Sequence, residues 1–319
     1  MTSLGILGSG RVAYALERAF TARDLPVTRM SARDSAAVDV LALDLTVLAV
    51  SDDAIGPVAA ALAAGTALTG QGRGVVHCSG ALDRAVLAPL ADRGWITGAW
   101  HPMQAFAAPD TPIRAGVTWG ITADPALTPV LLELTAALGG HPLVLRDEDR
   151  ARYHAAAAMA SNYTDVLIHH AALLLEDCGL QPDAALHALL PLVRTSLDGL
   201  ERTGLPAGLT GPLSRGDVGT IRRHLEAIAD RPDTAALYRA AGRATRPLLL
   251  ARGMDPATAD ALDAALLDPV DAALPSPVDP AVPVDAAAHD AVDGAFRDGT
   301  AAPVDAAQRD LLDTPGTIT

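Results

Sequence analysis

Lysine is missing from this chain: all 24 of its basic residues are arginine. That absence removes every mechanism that relies on a lysine acid, base or Schiff base. Cysteine is scarce, with only Cys78 and Cys178 far apart in sequence, which suits reduced thiols better than a disulfide framework. No apolar run reaches the ~18 residues that a bilayer crossing needs, because Asp, Arg, Gly or Pro interrupts each one. The strand pattern starts at Leu4 with no basic-then-apolar leader before it, so the expectation is a soluble, cytoplasmic protein. Basic patches are also lacking. The formal charge is −14, and Asp255–Thr319 alone holds thirteen aspartates against two arginines. The remainder is nearly neutral, which leaves nucleic-acid binding without a footing.

At 319 residues the chain has room for two domains and a tail. Short apolar strands are expected at Leu4–Leu7, Val27–Met30, Leu45–Val50, Val75–Cys78, Ile96–Trp100, Thr118–Thr122 and Pro142–Leu145. Helical patterns at Val12–Thr21, Ile55–Ala64, Leu82–Ala91 and Leu127–Leu138 alternate with them, as a parallel α/β sheet with right-handed crossovers requires. Residues 1–148 therefore read as an α/β Rossmann domain. After Arg146 the pattern turns all-α over 149–268. One long helix is expected from Arg150 to Cys178, stopping at Gly179. Others follow at Asp183–Leu200 with a kink at Pro191, Val218–Ala229, Thr234–Arg252 and Ala257–Leu267. Gly204–Gly216 is too rich in Gly and Pro for anything but a loop. Over 269–319 the pentapeptide Pro-Val-Asp-Ala-Ala recurs at Pro269, Pro283 and Pro303, predicting a mobile acidic low-complexity tail.

The leading motif is Gly8-Ser9-Gly10-Arg11-Val12-Ala13, a Gly-x-Gly-x-x-Ala turn between a first strand and a first helix. Its glycines permit a tight turn and a close backbone approach to a pyrophosphate, which the helix N-terminus stabilises. The second strand ends at Ser31 and Arg33, positions that suit a ribose 2′-phosphate and favour NADP(H) over NAD(H); Asp34 next door is the feature that argues the other way. After the third strand, Val50 and Ser51 line the expected cofactor crevice, with Asp52 or Asp53 capping the next helix. His77-Cys78-Ser79-Gly80 fills the following turn, where Ser79 and Gly80 would approach the nicotinamide or the substrate. His101 also falls at the carboxyl end of a strand, where α/β active sites gather. His154 and Asn162 share nearly one face of the long helix. Arg215 is suited to clamp a carboxylate, and Asp217 to cap a helix. No metal site is assigned.

Taken in order, these motifs resemble one family, with the match running over residues 3–268. They are the turn at Gly8, Val50-x-Asp-Asp-x-Ile, His77-Cys78-Ser79-Gly80, His101-Pro102-Met103, His154 through Asn162-Tyr163, and Gly211-Pro212 with Arg215-Gly216-Asp217. The family is that of Rossmann-like proteins with a C-terminal helical domain of unknown function. These proteins are related to the 6-phosphogluconate-dehydrogenase-like, pyrroline-carboxylate-reductase and ketopantoate-reductase group. The resemblance implies an NADP-dependent reductase, often a homodimer, with its active site between the two domains. Relatives that reduce 2-oxo acids place a lysine early in the first long helix; here that region reads Arg150-Ala151-Arg152-Tyr153-His154. His154 is accordingly expected as proton donor, Asn162 as an orienting group and Arg215 as substrate anchor, with His101 the other candidate acid. The expected reaction is NADPH-dependent reduction of a C=O or C=N bond in a small carboxylate. A ketopantoate-like 2-oxo acid leads and a cyclic imino acid follows. The other reading is a non-catalytic NADP-binding scaffold.

Overall fold

The computed structural model describes residues 3–34 and 36–267, so the acidic tail expected over 269–319 lies outside the described residues. The chain forms two compact units, the first reaching Met159 and the second beginning at Ala160.

The first unit opens with β1 (Leu4–Leu7), α1 (Arg11–Thr21), β2 (Val27–Met30), a 3-10 segment at Ala37–Ala42 and β3 (Leu45–Leu48). It continues through α2 (Asp52–Gly65), β4 (Gly74–His77), α3 (Ala88–Ala91), β5 (Ile96–Pro102), β6 (Thr118–Ala123), α4 (Thr128–Ala137), β7 (His141–Val144) and α5 (Arg150–Ala160). The seven strands lie in the order β2-β1-β3-β4-β5-β6-β7. All four residues of β1, β3 and β4 are buried, the signature of a sheet covered on both faces. Side chains alternate between the two faces. Ile6, Val47 and Val76 join one core with α1 and α4, whereas Leu7, Leu48 and Val75 join another with α2. Phe20, Trp100 and Trp119 lie in the first core, where Trp100 stacks on Trp119 with ring centroids 4.3 Å apart.

Two strands, β6 and β7, depart from the expected all-parallel sheet, since β7 pairs parallel to β6. β6 runs antiparallel to β5, with Trp100 opposite Ile121. A parallel connection needs a crossover, usually helical, and the intervening residues 103–117 carry Pro109, Pro112 and Gly116 rather than a helical pattern.

The second unit is helical: α6 (Asn162–Asp177), α7 (Pro182–Thr203), α8 (Val218–Ala227), α9 (Pro232–Arg243), α10 (Arg246–Ala251) and α11 (Pro256–Leu266). Ile221, Leu225, Ile228, Leu249, Leu262 and Leu266 form its core. Two expected long helices are each split. The Arg150–Cys178 helix breaks at Ser161, where Ser and Asn compete with the backbone for hydrogen bonds. The Thr234–Arg252 helix breaks before Pro247, which has no N–H to continue it. α7 runs on through Pro191. Among the described residues, no helix is long and apolar enough to cross a membrane.

Candidate active site

Strand order places the first feature of the site. β2 lies on one side of β1 and β3 on the other, so the chain reverses direction across the sheet between β1 and β3. Ligands of open α/β sheets bind outside the carboxyl ends of the strands at such a point. Here the turns after β1, β2 and β3 border a cavity of about 690 Å³. Gly8, Ser9, Gly10, Arg11 and Val12 line it from the first turn, Ser31 and Arg33 from the second, and Val50, Ser51 and Asp52 from the third.

The two glycines have different reasons to be there. A Cβ on Gly8 would lie 2.2 Å from the carbonyl oxygen of Ala49, so the close approach of β1 to the end of β3 demands glycine. A Cβ on Gly10 would meet nothing nearer than that oxygen at 4.0 Å, so protein packing does not demand this glycine. It borders the cavity at the start of α1, which has neither a side-chain cap nor an acidic residue in its first turn. The free N–H groups and positive end of α1 therefore suit a pyrophosphate. At the end of β2, Arg33 is exposed and has no side-chain partner among the described residues. Asp34 turns its carboxylate back to accept from the Ser31 backbone N–H at 3.0 Å, and it does not line the cavity.

Two expectations for this region change. α2 starts at Asp52 itself, with Ser51 at its cap position, so neither aspartate caps it. Instead the Asp52 carboxylate accepts from the Ser79 hydroxyl at 2.7 Å. Ser79 is buried and does not border the cavity: its Oγ also accepts from the N–H groups of Ala81 and Leu82 and so organises the turn after β4. From this turn Cys78 does line the cavity, and burial pushes its thiol up to about 12, far from a reactive thiolate.

The second feature is a cluster around Gly80. A Cβ there would lie 2.4 Å from His154 Nδ1 and 3.0 Å from His101 Nε2, so only glycine lets both imidazoles close on this turn. The two rings meet edge to face with centroids 5.9 Å apart. His101 Nδ1 is 2.8 Å from the hydroxyl of Tyr153, whose ring packs on Gly120 of β6. His77 is fully buried: its Nδ1 accepts from the Ser79 N–H at 3.2 Å, so its proton sits on Nε2 and is donated to the Asp83 carbonyl at 3.1 Å. Burial above all lowers His77 to about 4 and His101 to about 3, the latter also through the nearby charges of His154, Arg150 and His77. His101 is therefore a neutral imidazole at pH 7, with one ring N–H to donate. Burial also raises Tyr153, to about 12.

Beneath the turn lies Arg150, with no exposed surface. It donates to the carbonyls of Ser79 and of Leu82 (2.5 Å) and to the Thr122 hydroxyl at 3.2 Å. Arg150, Tyr153 and His154 stand at i, i+3 and i+4 on α5, a spacing that shares one helix face. That spacing was the signal available for Arg150 and Tyr153, which sequence reasoning passed over.

Asn162 and Arg215 belong to the helical unit. Asn162 is exposed at the start of α6, so it does not continue the helix of His154 as expected. Arg215 is exposed, has no side-chain partner among the described residues, and lines a cavity of about 320 Å³ with Ser214, Arg252, Met254 and Thr258. Asp217 caps α8 as expected, accepting from the Thr220 N–H at 2.9 Å. Among the described residues, no group of three or more His, Cys, Asp or Glu is arranged to hold a metal ion.

Comparison with known proteins agrees with this architecture. No curated protein matches the chain in sequence. A candidate NADP oxidoreductase from Bacteroides fragilis superposes with a TM-score of 0.60 at 22% identity, over 76% of this chain and 97% of that one. A reductive aminase from Aspergillus terreus, solved with NADPH and ethyl levulinate, gives 0.56 at 18% identity over 83% and 99%. A pyrroline carboxylate reductase from Plasmodium falciparum, solved with NADP, gives 0.53 at 12% identity over 77% and 98%. At these identities the likeness is one of fold. Residues 23–102 match the model of a Rossmann-like domain, and residues 117–245 that of a domain of unknown function, DUF2520. The chain thus joins a Rossmann-like domain to a DUF2520 domain.

Proposed function

We propose that the chain is an NADPH-dependent oxidoreductase that reduces a C=O or C=N bond in a small carboxylate-bearing molecule. The observation that carries this reading is the continuity of its two features. The turn after β4 contributes Cys78 to the cofactor-sized cavity and, two residues on, Gly80 to the histidine cluster. Bound there, NADPH supplies a hydride. Gly10 and the first turn of α1 hold the pyrophosphate, and Ser31 and Arg33 hold the 2′-phosphate. Asp34, the residue that would favour NADH, is committed to its own turn. The structures of the reductive aminase and the pyrroline carboxylate reductase, with NADPH and NADP respectively, support the same cofactor.

His101, Tyr153 and His154 are the proposed chemical groups; Arg215, on the helical unit, is proposed as a binding residue for an anionic group. A homodimer is proposed as well, supported by Leu192 and Leu197 of α7, which are 64% and 57% exposed. Sedimentation of the wild type and of Leu192→Glu measures that state directly. The function is tested by calorimetric titration with NADPH and NADH, followed by a screen of 2-oxo acids and cyclic imino acids for NADPH consumption. NADPH binding tighter than NADH, with turnover of one class, is the expected result. Tighter NADH binding overturns the cofactor assignment.

A further inference from the structure

We propose that the histidine cluster accepts a carbonyl rather than a protonated imine: the Nε2–H groups of His101 and His154 receive the carbonyl oxygen, and Arg150 positions them. The inference rests on the reductase reading above and goes beyond it by choosing between the two substrate classes.

The ring nitrogens can be accounted for one at a time. His77 is closed, with both nitrogens engaged by Ser79 and Asp83. In His154, Nδ1 is sealed from solvent with no hydrogen-bond partner. A buried orphan N–H is rarer than an under-used acceptor, so the ring N–H is assigned to Nε2. The one proton of the Tyr153 hydroxyl can go to His101 Nδ1 at 2.8 Å or to the His101 carbonyl at 3.4 Å; assigned to the shorter contact, it leaves the ring proton on Nε2. Neither Nε2 has a protein partner among the described residues. The site therefore offers two N–H donors.

Charge points the same way. The Arg150 guanidinium is fully buried, yet its three partners are two carbonyls and a hydroxyl. The carboxylates around it are engaged elsewhere. Asp147 pairs with Arg84, Asp83 accepts from the Ala85 N–H, and Asp52 accepts from Ser79. The buried Arg150 guanidinium is the standing charge that acts on His101, and it disfavours a further positive charge there. A protonated imine brings a positive charge and an N–H donor, and it finds donors and a positive field. A carbonyl brings an acceptor, and its oxygen becomes negative as it is reduced. In the balanced step the carbonyl carbon gains the hydride and the π pair moves onto oxygen. That oxygen takes the Nε2 proton of His101, while Nδ1 of His101 takes the proton of Tyr153. Water returns a proton to the phenolate. An alkoxide is basic enough to draw this proton even from a tyrosine raised to about 12.

The positioning role of Arg150 follows from what it holds. Its bonds to the Ser79 and Leu82 carbonyls fix the turn on which Gly80 meets both rings, and it does not line the cofactor cavity.

The test uses the full chain with NADP+ present and two small carboxylates titrated calorimetrically. Oxamate carries a neutral carbonyl next to its carboxylate, and pyrrolidine-2-carboxylate carries a cationic ring nitrogen there. Oxamate is expected to bind at least roughly tenfold tighter. Arg150→Met is expected to erase that difference. Because the variant removes a buried charge and can fail to fold, long-range ¹H–¹⁵N NMR on the wild type supplies a second reading. Both His101 and His154 are expected as Nε2–H tautomers. An Nδ1–H tautomer at either ring, or pyrrolidine-2-carboxylate binding as tightly as oxamate, overturns the proposal. Failure of both ligands to bind also overturns it. NADPH titration alone reports whether the parent reading has failed instead.

Discussion

The hydroxyl of Tyr153 lies 2.8 Å from Nδ1 of His101, which ties α5 to the end of β5. The tyrosine ring is wedged there, since a Cβ on Gly120 would come within 2.6 Å of its Cζ. Tyr153→Phe keeps that wedge and deletes only the hydroxyl. Turnover is expected to fall about a hundredfold, the usual scale for losing a positioned proton donor, with NADPH affinity unchanged. Steady-state kinetics beside a cofactor titration separates the two. Unchanged turnover would remove Tyr153 from the chemistry.

Gly80 is the point where space is shortest, between His154 Nδ1 and His101 Nε2. Gly80→Ala must push one ring aside. Overpacking of this kind costs about 1–3 kcal/mol, which a urea melt reads, and activity should be lost well beyond that stability change. A fully active Gly80→Ala would show that the two rings need not be close.

The sheet was legible in the sequence because buried parallel strands write themselves as short apolar runs between helices, as Leu45–Leu48 and Gly74–His77 do. The cofactor turn was legible because the requirement at Gly8 is local, a backbone approach to the end of the neighbouring strand. The reversed direction of β6 and β7 was not, since it depends on what the 103–117 loop fails to form. Nor was the role of Ser79. Its position in a turn is visible, but whether its hydroxyl faces a ligand or Asp52 is decided by α2, 27 residues away. Arg150 was hidden for a similar reason. Arginine is almost never fully buried, and its partners are carbonyls that carry no side-chain signature.

Arg33 sits at the end of β2, exposed and bordering the cavity. If it holds the 2′-phosphate, Arg33→Ala removes a charge-assisted contact that NADPH makes and NADH cannot. The NADPH Kd is expected to rise roughly ten- to a hundredfold while the NADH value stays nearly constant. Equal losses for both cofactors would place Arg33 on the shared pyrophosphate instead.

Acid should weaken the fold before its carboxylates titrate. His77 falls from an ordinary 6.5 to about 4 and His101 to about 3, both chiefly through burial. The unfolded chain therefore binds protons on these rings that the folded chain refuses, and stability rises with pH across that window. The stabilisation is complete above about pH 6.5 and is lost as pH drops toward 4 for His77 and 3 for His101. Each ring contributes up to about 1.4 kcal/mol per pH unit within its window. Urea melts between pH 7.5 and 4.5 should show the midpoint falling from just below pH 6.5. His77→Asn keeps one donor and one acceptor but cannot titrate, so its slope should be smaller by about one proton. A midpoint that holds steady down to pH 5 would mean that these imidazoles are protonated in the fold, and a neutral His77 and His101 would have to be abandoned.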